Sequence, residues 1–424
     1  MNTIIKHLQA NTGVCDWKIN VTRKESYELF FVKGALETVR NTDNTDREVT
    51  VYVDHGEYKG NAQFFVYPST TESDLDRLIE EAVEKAKLID NPRYEIVAGE
   101  AGEYTVESNF HEWDAAELAA VIANTVFDSN TLETTSLNAV EIFINRITET
   151  VVNSRGLHKT QHRYTAMVEA IPTATADGES VELYEQYNFN ALDVGAIARE
   201  IADKLEQAAA RHKARRMEIS GVKKVILNSQ ELMELFWNFA DDLDYSTVYS
   251  HHNVFKKGDA LQTAPKGDKL GITMTASLPG CAGSRCFDRD GMDLTEKRIV
   301  DDGKAVSYFG SNRFGQYLGE TPTGNLPCIR LDAGTAEMAE FAEGPYLEIV
   351  SMSGIQTDFY ADYVGGEIRL AYWHDGETIL PVTGVSVSGK LSEVLNNIRF
   401  SRECALMGSF YGPKKAMVFD FNIF

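Results

Sequence analysis

The chain is poor in cysteine and proline, and most of the familiar enzyme fingerprints are missing from it. Its five cysteines (Cys15, Cys281, Cys286, Cys328 and Cys404) are odd in number, scattered and without a C-x-x-C pair. That argues against a disulfide-stapled scaffold and for reduced thiols in a cytoplasmic protein. Only ten prolines, with 43% hydrophobic residues, describe a globular chain able to bury a full core. No apolar run reaches membrane-spanning length. The opening stretch MNTIIKHLQANTG lacks the long apolar segment of a secretory signal, so none is expected. No G-x-S-x-G, P-loop or dinucleotide fingerprint occurs, which leaves a serine nucleophile and a nucleotide cradle without support. Gly365-Gly366 and Gly384 to Gly389 read instead as turns between strands. Neither an equal-length repeat nor a low-complexity tract is present.

Positive charge is the next scarcity. Lysine and arginine number 41 against 64 acidic side chains, for a net charge of −23. A protein that grips DNA by its phosphates needs a basic surface, and this one would repel the duplex. The densest basic cluster, Arg211 to Arg216, ends a long helical pattern, where cations complement the helix dipole. No nucleic-acid partner and no membrane is expected.

At 424 residues two domains are expected. The reading is α+β: residues 1–217 as an N-terminal antiparallel sheet with covering helices (sub-regions 1–105 and 106–217), residues 218–424 as a mostly-β sandwich or barrel-like domain. Glu28 to Val32 and Ala35 to Val39 flank Lys33-Gly34, a hairpin signal. Glu48 to Val53 and Asn61 to Tyr67 flank a second turn at Asp54 to Glu57. Leu75, Leu78, Ile79, Ala82, Val83 and Ala86 form one helical stripe, with Ser73 and Asp76 in near capping-box spacing at its start. Asp114 caps a helix from Ala115 to about Phe127, and Asp193 one that ends near Met217. Long strands are expected between residues 137 and 190, turning at Asn153 to Gly156.

The second half opens with a strand from Lys223 to Leu227 and a helix from Glu231 to Leu243. Strands then dominate: Leu270 to Ala276, Arg298 to Val300, Ala305 to Phe309, Tyr346 to Met352, Gly366 to Trp373 and Ala416 to Phe421. Ala336 to Ala342 and Leu391 to Ile398 are short helical patterns. Between Ser284 and Arg330, aspartates alternate with glycines in tight turns, gathering polar side chains and free backbone N–H groups in loops where sites usually sit.

Gly283-Ser284, Phe287-Asp288-Arg289-Asp290-Gly291, Val300-Asp301-Asp302-Gly303 and Thr323-Gly324-Asn325 resemble the core signature of the TldD/PmbA family. That pattern reads small-Ser-x-x-Phe-Asp-x-(Glu/Asp)-Gly, then an aspartate-glycine turn, then Thr-Gly-Asn; Asp290 replaces the more usual glutamate. Gly34 to Val39, Gly56 to Ala62 and the Asn153 to Gly156 turn are similar to further family patterns. The family is a two-subunit bacterial and archaeal proteolytic system, often described as modulators of DNA gyrase. Its catalytic, TldD-type subunit resembles metalloproteases in carrying His-Glu-x-x-x-His on the helix that opens the second half. Histidines one helical turn apart can both reach a zinc ion while the glutamate activates its water. Here that helix, Ser229 to Ala240, contains no histidine and presents Leu232, Leu235, Phe236 and Phe239 as a packing face.

The resemblance is therefore to the PmbA (TldE) subunit, which lacks the motif. It implies a peptidase system component that is itself non-catalytic, with no catalytic residue and no cofactor of its own. Zinc is expected on a TldD-like partner in a heterodimer, with a homodimer as the alternative. The ligands are peptides or unfolded protein segments. Arg285, Asp288, Asp290 and Asn325 are the expected substrate or partner contacts. Asp288 and Asp290 also have the plainer reading of an Asp-x-Asp-Gly turn that shapes its own loop. His111-Glu112 has no second histidine in reach. His158 and His162 stand on a strand, about 13 Å apart on one face. His251, His252 and Cys404 remain as weak metal candidates, for an autonomous metal-dependent peptidase with rebuilt ligands. Cys281 and Cys286 read as structural. A third reading is a non-enzymatic protein-binding modulator.

Overall fold

Strands of strict alternation need one face buried and the other solvated or paired, and the first half of the chain is built on that need. The computed structural model describes residues 1–219 and 224–424. Helix α1 (Asn2–Ala10) precedes a hairpin of β1 (Asp16–Val32) and β2 (Ala35–His55). Lys33 (φ 50°) and Gly34 (φ 79°) make its turn, both in the left-handed region that a two-residue hairpin loop favours. The chain continues through β3 (Tyr58–Phe65), α2 (Glu72–Ala86), β4 (Ala101–Thr105), α3 (Ala115–Asp128) and β5 (Thr135–Asn153). Then come β6 (His158–Ala176), β7 (Glu179–Glu182), β8 (Glu185–Phe189) and α4 (Val194–Lys213). One eight-stranded sheet results, ordered β3-β2-β1-β5-β6-β4, with β7 and β8 also on β6. It runs through both 1–105 and 106–217, and only the β4–β6 pair is parallel.

All four helices cover one face of this sheet. Trp17, Ile19, Val49 and Val51 pack on Leu8 of α1 and on Leu75 and Ile79 of α2. Farther along, Leu29, Ile142 and Val168 pack on Leu118 and Ile122 of α3 and on Ile197 and Ile201 of α4. Each fully buried side chain of this size contributes about 1.5–3 kcal/mol. Asp114 caps α3 as expected, accepting from the Ala116 and Glu117 N–H groups. The cap of α2 differs from expectation: Thr71 and Asp74 exchange the capping-box bonds, so Ser73 and Asp76 lie within the helix. Thr71-x-x-Asp74 offers the same spacing two residues earlier, and the longer helix satisfies more of its own backbone. Helix α4 stops at Lys213, short of Met217, because Arg215 leaves it to bond the Pro381 carbonyl and lie beside Val382. Arg211 also donates to Thr383, so the basic cluster is a helix end tied to the second half.

The opposite face is polar. Register aligns Lys18 with Thr50 and Asn153, Thr22 with Glu149, and Glu149 with Gln161. At one end of it, Asp16 and Lys59 form an ion pair at 2.7 Å with both side chains 4% exposed. Arg155 and Ser154 donate to the same carboxylate. Burial alone would raise the Asp16 pKa, but hydrogen bonds from Arg155, Lys59 and Ser154 outweigh it and hold the group at about 2.

The second half builds two further sheets. Six strands run in the order Lys304–Ala305, Lys297–Asp301, Ile272–Thr275, Cys328–Leu331, Phe410–Pro413, Cys404–Met407. The nine-stranded sheet centres on Val225–Asn228, Tyr346–Met352 and Tyr363–His374. Between them lies the largest core, where Leu232, Leu235, Phe236 and Phe239 of α5 (Ser229–Asp242) meet side chains of both sheets. The α+β expectation holds, with strand at about 41% outweighing helix at about 23%. Several local readings change. Val306 to Phe309 leave the strand after Ala305, the helix after Ala336 shortens to Met338–Phe341, and Gly365-Gly366 lie inside a 12-residue strand rather than at a turn. A Cβ on Gly365 would stand 2.4 Å from the Val387 carbonyl, so glycine there serves close strand packing. Gly389 likewise pairs with Val364 within a strand. Lys223, expected to start the first strand of this half, falls outside the described residues.

Replacing Asp16 with alanine should cost about 3–5 kcal/mol, because it leaves the buried Lys59 ammonium only the more distant Asp54 carboxylate at 3.9 Å. Denaturant unfolding checks this. The stabilisation by Asp16 is present above the ordinary pKa of 3.8 and is lost as pH falls through about 2, so the parent's acid limb should flatten in the variant.

Candidate functional site

The aspartate–glycine loop after Ser284 lies on the polar face of the N-terminal sheet. Gln161, 1% exposed, makes the central contact. Its carbonyl oxygen accepts from the Cys286 N–H at 2.8 Å, and its amide donates to the Phe287 carbonyl at 3.2 Å. Lys159 donates to the Gly291 carbonyl and pairs with Asp293 at 2.7 Å. Lys18 pairs with Asp290, and Arg163 donates to the Ala282 carbonyl. The loop's own shape comes from Asp288, 4% exposed. One of its oxygens accepts from the Asp290 and Met292 N–H groups, the other from the Asn325 N–H at 3.0 Å. Burial and the neighbouring Asp290 charge raise the Asp288 pKa, while those three backbone donors lower it; the net direction is up. Gly291 (φ 77°) fits because a Cβ there would stand 2.2 Å from Leu157.

Beside this contact a cleft of about 330 Å³ opens between loop and sheet, with Asn20, Glu48, Glu149, Arg285, Phe287 and Arg289 in its wall. Glu149 bridges the two halves, taking Arg163 at 3.0 Å and Arg285 at 3.2 Å. Arg289 reaches Glu48 on β2 at 3.0 Å. The wall thus alternates in charge, a pattern suited to main-chain amides or to a polar partner strand rather than to an anion.

The structure brings Arg285, Asp288 and Asn325 into this one region and places Asp290 on its flank against Lys18. Reading the sequence missed the sheet side of the site: Lys18, Glu149, Lys159, Gln161 and Arg163. They sit on strands whose second face looked like solvated surface. The available signal was an alternation too rich in long polar side chains, with Lys159, Gln161 and Arg163 on one face of β6.

The zinc site of the TldD-type subunit does not fit this chain's residues. Placing Glu231 at the glutamate of His-Glu-x-x-x-His puts Gln230 and Leu235 at the two histidines. Gln230 is exposed and bonds Glu234, and Leu235 is wholly buried in the core. Glu231 caps its own helix, accepting from the Asn228 N–H. Burial raises its pKa from the usual 4.5 to about 8. His251 and His252 are exposed on the loop after Tyr249, the His252 carbonyl accepting from the Tyr360 hydroxyl. Cys404 starts a strand of the six-stranded sheet. Among the described residues no three histidine, cysteine, aspartate or glutamate side chains converge as a metal site, so these candidates are not brought together.

Residues 220–423 match the family described as the PmbA/TldA metallopeptidase C-terminal domain. A metalloprotease of Synechocystis sp. is 26% identical over 166 residues, covering 34% of this chain and 35% of that protein. The aligned stretch therefore spans about a third of that relative's length. Among solved structures, TldE from Thermococcus kodakarensis superposes with a TM-score of 0.78 at 12% identity, over 100% of this chain and 99% of that one. A proposed modulator of a DNA gyrase from Thermotoga maritima gives 0.76 at 15% identity, with 100% of both chains covered. A third, from Bacteroides thetaiotaomicron, gives 0.78 at 13%, over 100% and 96%. At such identities these likenesses establish the fold.

Two outcomes test this geometry. Gly291→Ala forces a side chain into Leu157 at a positive φ and should cost at least about 1–3 kcal/mol by thermal or denaturant unfolding. Glu231→Gln keeps the capping acceptor and removes the buried charge. The proton held by native Glu231 favours folding fully below the unfolded value of 4.5, and this advantage is lost as pH rises to about 8. The parent's melting temperature should therefore fall across that window more steeply than that of the variant, which should be the more stable at its upper end.

Proposed function

The C-terminal half of this chain belongs to the PmbA/TldD family, and on that premise we propose that it is the TldE-type component of a TldD/TldE metalloprotease system. In this reading the chain is non-catalytic and forms part of the wall of a chamber in which a TldD-like partner, carrying the zinc, cleaves peptides or unfolded segments. The observation that carries the reading is α5. The helix that would present the metal ligands offers a buried leucine and an exposed glutamine at the two histidine positions. The whole-length likeness to TldE of Thermococcus kodakarensis supports the same assignment.

The cleft gives the wall its chemistry. Arg285, about a third exposed, and Arg289, largely exposed, have guanidinium groups at its surface. They can donate to carbonyls of an extended peptide or of the partner, while Asp288 and Asn325 hold the loop that carries them. The acidic surface speaks against nucleic acid as the ligand, and with it against direct action on DNA. No helix among the described residues is long and apolar enough to cross a membrane. We place the complex in the cytoplasm, as a heterodimer or, without the partner, a homodimer.

Elemental analysis of the purified protein, alone and co-expressed with a TldD-like subunit, tests the proposal. The isolated chain should carry no stoichiometric metal and the complex one zinc per pair, with peptidase activity only in the complex. Stoichiometric zinc in the isolated chain would overturn it.

A further inference from the structure

Cys281 and Cys328 are 47 positions apart in sequence, yet their sulfurs touch at 3.6 Å. Both are free thiols and almost wholly buried, at 1% and 0% exposure. They lie under Leu278 and Leu406 at the foot of the loop that docks on the N-terminal sheet. Cys281 sits in a tight turn: its N–H bonds the Leu278 carbonyl, and the Ser284 N–H returns to the Cys281 carbonyl at 3.2 Å. Ser284, itself buried, locks the turn through its hydroxyl, which accepts from the Leu278 N–H at 3.0 Å. Arg163 is tied to the same turn, donating to the Ala282 carbonyl at 3.1 Å.

Two free sulfurs in van der Waals contact need only a small side-chain adjustment to reach the roughly 2.05 Å of a disulfide, the relation of a thiol to its resolving partner. We propose that Cys281 and Cys328 form an oxidisable dithiol that closes to a disulfide on reaction with a hydroperoxide. The Cys281 sulfur attacks one peroxide oxygen, the O–O bond breaks, and the leaving oxygen takes up the thiol proton, as water or an alcohol. This leaves a sulfenic acid on Cys281. The Cys328 sulfur attacks that sulfur, the S–O bond breaks, and the displaced oxygen leaves as water with the Cys328 proton. Two thiols are oxidised and one peroxide is reduced. The hydrogen bond from Cys328 to Cys281 lowers the Cys281 pKa against the effect of burial, which favours Cys281 as the attacking sulfur. Closure would tie the turn at Leu278–Ser284 covalently to the strand Cys328–Leu331. It would act on the loop whose Ala282 carbonyl receives Arg163 and whose Arg285 meets Glu149.

The test is peptide mapping of the folded, full-length protein after hydrogen peroxide, with alkylation of remaining thiols under denaturing conditions. The expected result is a Cys281–Cys328 cross-linked peptide lighter by two hydrogens, and a thiol count lower by two that dithiothreitol restores. In Cys328→Ser, dimedone should trap a sulfenic acid on Cys281; in Cys281→Ser neither product should form. Should a variant fail to fold, the map of the unmutated protein decides alone. Recovery of Cys281 and Cys328 separately alkylated, under conditions that oxidise Cys15 or Cys404, would overturn the proposal. So would dimedone labelling of Cys328 in place of Cys281.

Discussion

A buried amide stands at the centre of the polar contact that holds the two halves of this molecule in register. Gln161 lies under the loop at Cys286–Phe287, with its carbonyl and its NH₂ group both bonded to loop backbone. A buried polar group left without partners costs about 1–3 kcal/mol, and here both the side chain and the loop would lose theirs together. The dependence is mutual. The loop keeps its form through Asp288, and the sheet keeps Lys18, Lys159 and Arg163 satisfied through the loop. Opposite charges and amides at fixed spacing set the register, where an apolar contact would allow sliding. The cleft beside the contact is a by-product of that geometry: Glu149, shared between Arg163 and Arg285, stands at its wall because it also joins the halves.

The second half carries its own argument about function. Its core joins two sheets through the apolar side of α5, and Leu232, Leu235, Phe236 and Phe239 are each wholly buried there. A helix so placed can hold a metal only by giving up part of that packing. The chain has kept the packing. What remains exposed near the docking loop, Arg285 and Arg289 above all, is suited to polar contact, and the proposed wall role rests on it.

Much of this was legible in the sequence, and the failures share a cause. The hairpin at Lys33-Gly34, the Asp114 cap, α5 and the aspartate–glycine loop all announce themselves through turn chemistry or periodicity, which are local signals. The length of β1 and β2 did not. Arg40 to Arg47 is wholly polar and stays a strand because β1 pairs with it residue by residue, not because of its own preference. Gly365-Gly366 mimicked a turn for the same reason in reverse, since only the neighbouring strand explains why a side chain is excluded there. The site divided along this line. Asp288 and Asn325 sit in a recognisable loop, whereas Gln161 and Glu149 gain their meaning from what lies above the sheet. The contact of Cys281 with Cys328 is likewise a product of the fold, invisible in two isolated cysteines.

Glu231 shows how far a surviving residue should be trusted as a sign of activity. It occupies the glutamate position of a metalloprotease helix, is buried, and has its pKa pushed up to about 8 by that burial, features that often mark a general base. Its surroundings give a different account. The carboxylate accepts the Asn228 N–H at the first turn, as the third residue of a capping box does in any helix. The residue four positions on is a leucine that turns into the core, and the one before is a glutamine bound to Glu234. A helix start buried between sheets needs an acceptor at that position whether or not a metal is near. The shifted pKa follows from placing that acceptor out of water. Desolvation without a converging ligand set is a cost of the fold, and it is the absence of partners, not the presence of Glu231, that decides the reading of this helix.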